Sequence, residues 1–75
     1  MVKVTMNLTD ADVAAAETIQ KAINARSKAQ AVSFALAATR YIVDALRDKK
    51  QLAFRQPNGS FEHIVFPELE AIRAA

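Results

Sequence analysis

The first eight residues constrain the fold most. From Val2 to Leu8 the chain alternates, with Val2, Val4, Met6 and Leu8 apolar and Lys3, Thr5 and Asn7 polar. A period of two marks a β-strand with one face for a core and one for solvent. Residues 9–50 then read as helix, so no second strand follows nearby. A lone strand leaves its ladder groups unpaired and its apolar face half covered. Its mate has to be supplied from elsewhere, and a second copy of the same strand is the simplest source.

Size and composition support that source. A chain of 75 residues makes one domain at most and buries only a modest core. It has no cysteine, so neither a disulfide nor a thiolate metal site can staple it. Its apolar fraction of 52% is high for a small monomer, which leaves oligomerisation as the route to a sufficient core. No stretch is long and apolar enough to span a membrane, and the amino terminus does not read as a signal peptide, so a cytoplasmic location is expected. Residues 1–55 hold nine Lys/Arg against five Asp/Glu (net +4), and residues 56–75 hold one Arg against three Glu (net −2). The front suits a polyanion; the tail does not.

The helical stretch divides in two. Thr9 with Asp12 forms an Asp variant of the capping box and opens a helix over about residues 10–24. Asn24 tolerates a left-handed conformation and suits its end. Ser27 with Gln30 is a cleaner capping box, opening a second helix over about 28–49. Its stripe of Val32, Ala35/Leu36, Thr39, Ile42/Val43 and Leu46 makes it the core helix. Beyond it, two β-prone runs, 51–55 and 60–66, flank Pro57-Asn58-Gly59, a strong hairpin signal. Residues 68–75 read as a short helical turn or a frayed end. The expected class is therefore α+β, mainly α: a core at 1–50 with strand 2–8, and a C-terminal β-hairpin and tail at 51–75.

The inventory argues against an enzyme. The chain has one histidine, His63, and one glycine, Gly59, with carboxylates spread over helix starts and the tail. No cofactor and no metal are expected. The strand and the second helix start form a more telling set. A two-stranded antiparallel ribbon fits the DNA major groove. If the strand pairs with its own copy about a two-fold axis, its ladder is satisfied and its apolar face closes a helical core. Lys3, Thr5 and Asn7 then appear twice on the outer face. Lys donates to guanine, Asn pairs with adenine, and Thr donates, accepts or meets a thymine methyl. At the start of the second helix, Arg26, Ser27 and Lys28 flank free amides suited to phosphate. The expected dimer core is Val4, Met6, Leu8, Val32, Leu36, Ile42, Val43 and Leu46.

The order strand–helix–helix, with VKVTMNLTDAD opening and RSKAQAVSFAL starting the second helix, resembles the ribbon-helix-helix family of DNA-binding proteins. The resemblance covers about residues 2–48. It implies an intertwined homodimer, with base reading by Lys3, Thr5 and Asn7 and a phosphate anchor at Arg26, Ser27 and Lys28. It also implies a nucleoid-associated transcriptional repressor of a small operon, its own included, acting on a palindromic operator in double-stranded DNA. Many members carry Gly before the second helix where Asn24-Ala25 stands here, and Arg on the strand where Lys3 is the only cation. The apolar hairpin is an addition to the family core. It docks on its own dimer, pairs dimers into a higher-order assembly on DNA, or meets a partner protein. In the last case the resemblance implies the alternative reading, an antitoxin whose C-terminal segment binds a toxin and which autoregulates its operon.

Overall fold

Local hydrogen bonds set the limits of the two long helices. A computed structural model of the chain describes residues 2–3 and 5–74. Helix α1 spans Asp10–Ala22. Thr9 is extended and caps it reciprocally: its hydroxyl accepts from the Asp12 amide at 3.1 Å, and the Asp12 carboxylate accepts from the Thr9 amide at 3.2 Å. Asn24 takes φ 55°, and the Ala25 and Asn24 amides fold back to the carbonyls of Gln20 and Lys21. That is a Schellman closure, so the helix stops short of the expected residue 24.

Helix α2, Lys28–Arg47, ends the same way. Lys49 has φ 64°, and the amides of Lys50 and Lys49 donate to the carbonyls of Ala45 and Leu46, each at 3.1 Å. Residues 48 and 49, expected to be helical, belong to this closure. A non-glycine residue in the left-handed region costs about 1 kcal/mol, which is why the stop is hard to read from composition.

The chain packs as two compact units, residues 1–36 and 37–75, with α2 running through the division. In the second unit, β1 (Ala53–Arg55) and β2 (Phe61–His63) pair antiparallel, with Phe54 opposite Glu62. The Gly59 amide donates to the Gln56 carbonyl at 2.9 Å, and Gly59 sits at φ 90°. Asn58 accepts from both the amide and the hydroxyl of Ser60. The strands are shorter than the expected runs, although an Ile64 amide to Leu52 carbonyl bond extends the ladder. The tail after Pro67 is more than a turn: α3 spans Pro67–Ala74, with proline at its first position where no amide is needed.

Neither unit builds an ordinary core. Among the described residues the buried apolar ones are Ala16 and Ala31 in the first unit and Leu46 in the second. Of the expected dimer core, Leu46 is buried, while Val32, Ile42 and Val43 are half-buried. Met6, Leu8 and Leu36 are exposed, Leu36 by 67%. Val4 lies outside the described residues. The described residues of the 2–8 segment belong to no helix or strand of the single chain. The expected strand is therefore not formed here, because a ladder exists only with a second strand.

Helix α2 shows the deficit most clearly. At 100° per residue its apolar arc runs from Tyr41 and Phe34, through Ala38, Ile42 and Leu46, round to Val32 and Leu36. It covers about 220°, more than twice the stripe of a one-sided surface helix. The chain exposes 6605 Å². A folded monomer of this mass averages roughly 4,500 Å², and two separate units of half the mass roughly 5,500 Å². Surface of that extent is available to a second copy. Thermal stability is accordingly expected to rise with protein concentration, as it does when folding and association are coupled. Unfolding midpoints at several concentrations check this; a constant midpoint for a monomeric species would overturn it.

Candidate nucleic-acid interface

The two sets of candidate residues both lie in the first unit, and they are in different states of readiness. Lys3, Thr5 and Asn7 are exposed, but so are Val2, Met6 and Leu8. Alternation assigns one set inward and one outward only when a mating strand defines the two faces. Among the described residues no hydrogen bond or ion pair joins Lys3, Thr5 or Asn7 to Arg26, Ser27 or Lys28.

The start of α2 is already organised. The Ser27 hydroxyl accepts from the Gln30 amide at 3.1 Å. The Gln30 side chain reaches back and accepts from the Arg26 amide at 2.7 Å. An ordinary capping box would end on the cap residue's own amide, here Ser27. Reaching one residue further holds the Arg26 backbone in place. As at any helix start, the amides of Lys28 and Ala29 point out of the helix end, with no acceptor among the described residues. Two such donors with the positive end of the helix dipole make a ready anion position.

Lys28 is not idle in this arrangement. Its ammonium lies 3.3 Å from the Glu17 carboxylate, both side chains about half exposed at 57% and 48%. A pair this open to water is worth less than about 1 kcal/mol and weakens with salt. It ties α1 to the start of α2, and any phosphate at the helix end competes with Glu17 for the same cation. A shallow groove lies beside the pair, lined by Glu17, Gln20, Lys21, Asn24, Ala25 and Lys28. Sequence reasoning placed Lys28 at the anchor but missed Glu17. The two stand eleven residues apart across a turn, so no helical spacing signals them.

Elsewhere the chemistry is sparse. His63 is exposed on β2. Among the described residues no cluster of His, Asp or Glu is placed to hold a metal ion. No helix is long and apolar enough to cross a membrane. Comparison with protein-family models, with curated proteins and with solved structures finds no significant match to this chain.

The cap bonds separate a structural role for Ser27 from a ligand role. Ser27→Ala is expected to cost about 1 kcal/mol in denaturant unfolding with no ligand present, and Ser27→Asp to restore most of it. Unchanged stability in Ser27→Ala would show that the hydroxyl does not cap α2.

Proposed function

We propose that this chain is a homodimeric, sequence-specific DNA-binding protein of the ribbon-helix-helix type, acting as a transcriptional repressor. The observation that carries the reading is the amino-terminal segment, alternating in sequence, with its described residues exposed and in no strand, directly ahead of two capped helices, the second with an apolar arc wider than one copy covers.

Two copies of residues 2–8 pair antiparallel about a two-fold axis. Ladder bonds then form between chains, and Val2, Val4, Met6 and Leu8 turn onto the paired α2 helices. Lys3, Thr5 and Asn7 face outward from both strands as a ribbon matched to the major groove. Phosphates on either side meet the amides of Lys28 and Ala29 and the side chains of Arg26 and Lys28. Two-fold symmetry calls for a palindromic site, so fragments selected from random DNA should share inverted half-sites.

Base reading and phosphate anchoring have different signatures. Asn7→Ala or Thr5→Ala should weaken binding to the selected site by roughly 1–3 kcal/mol while leaving random DNA nearly unaffected. Equal losses on both would remove these residues from base reading. Lys28→Ala should weaken all DNA binding and flatten the slope of log affinity against log salt by about one per anchored phosphate. Glu17→Gln should act in the opposite direction, strengthening binding on every sequence, since it removes the carboxylate that competes for Lys28. Titrations by fluorescence anisotropy across a salt series measure both, and an unchanged slope in Lys28→Ala sinks the anchor.

A further inference from the structure

The hairpin has one strand edge that is open, uncharged and close to self-complementary. The Ile64 amide donates to Leu52 and the Gln56 amide to Ser60. With the register Ala53↔His63 and Arg55↔Phe61, this makes 52/64, 54/62 and 56/60 the hydrogen-bonded pairs. The backbone groups of Phe61 and His63 therefore point away from β1, and the alternation carried one step on puts those of Val65 beside them. No hydrogen bond among the described residues engages the amides of these three. Phe61 and His63 share one sheet face, and the same alternation carried past the strand end puts Val65 on it; Phe61 and Val65 are exposed by 66% and 63%.

The opposite edge is guarded and this one is not. The outward positions of β1 include Arg55, and Pro57 closes that strand. A cation and a proline are the usual protection of an edge. From Phe61 to Phe66 the only charge is Glu62, whose backbone faces β1. The edge thus accepts a strand, and its own pattern selects which. Outward residues have to meet outward residues, so a two-fold axis can pass through 62, 63 or 64. An axis at 62 sets Glu62 against its own copy, which is repulsive. An axis at 64 leaves Phe61 outside the ladder. An axis at His63 pairs Phe61 with Val65 of the second copy twice, His63 with itself, and each Glu62 with Ile64. It forms the most ladder bonds, makes two aromatic–β-branched pairs and keeps the carboxylates apart.

We infer that β2 is a second self-association surface, on which two copies of this chain pair antiparallel through residues 61–65 about a two-fold axis at His63, giving a four-stranded sheet. The contact is isologous. It lies wholly within the hairpin and does not depend on the DNA-binding reading, so either can fail without the other.

The absence of cysteine makes a direct register test available. Directly opposed residues of a hydrogen-bonded pair sit about 5.5 Å apart at Cα, within disulfide reach. His63→Cys in the full chain, oxidised without DNA, should form a covalent dimer on a non-reducing gel. Phe61→Cys or Val65→Cys alone should not, because like residues then lie roughly 13 Å apart along the strands. The two co-expressed should cross-link with each other. Adding Val65→Lys to His63→Cys should abolish the band, with circular dichroism confirming that the chain stays folded. No cross-link at 63, or equal cross-linking at 61, 63 and 65, overturns the proposal. So does a disulfide between co-expressed Thr5→Cys and His63→Cys with none at 63 alone, which would give the edge to the amino-terminal segment.

Discussion

Apolar burial that one copy of the chain leaves incomplete is the constraint on which the rest depends. The helices are well bounded, but a capping box or a Schellman closure contributes on the order of 1 kcal/mol each. Isolated helices of 13 and 20 residues are marginal in water without packing. Among the described residues only Ala16, Ala31 and Leu46 are buried, so little of that packing is present in one copy. Under the proposed reading, the wide apolar arc of α2 is half of an interface, and another chain would complete the burial of the half-buried Val32, Ile42 and Val43.

Under the proposed reading, the same event would complete the core and build the recognition surface. A strand has no inside or outside until it is paired. Pairing residues 2–8 would bury Met6 and Leu8 and in that act turn Thr5 and Asn7 outward. A register slip of one residue would exchange the two sets, so the apolar positions also guard the reading positions. The helix end differs, since in the single chain Ser27 and Gln30 already fix the Arg26 backbone and Glu17 pairs with Lys28.

Much of this was legible in residue order, and the misses have physical causes. Thr9–Asp12, Ser27–Gln30 and Pro57-Asn58-Gly59 act through bonds spanning two to four residues, so their spacing announces them. The end of α2 did not announce itself because a lysine, not a glycine, occupies the left-handed position. Helix α3 is longer than the pattern suggests because Pro67, just past the second β-prone run, is a good first residue of a helix. The Glu17–Lys28 pair depends on how the turn at Asn24 brings two helices together, and that is not a local property. The strand at 2–8 is legible as a pattern, but a pattern only specifies what a mate would complete.

The breadth of the apolar arc on α2 also bears on how this sequence can change over time. Only a narrow strip, including Ser33, Ala37, Arg40 and Asp44, is left for substitutions that touch neither face of the helix. Drift along the helix is thus confined to about two-fifths of its circumference. Under the proposed reading, variation in what the protein recognises would then be channelled into the few outward positions of its recognition surface, where residues can be exchanged without disturbing what holds the copies together.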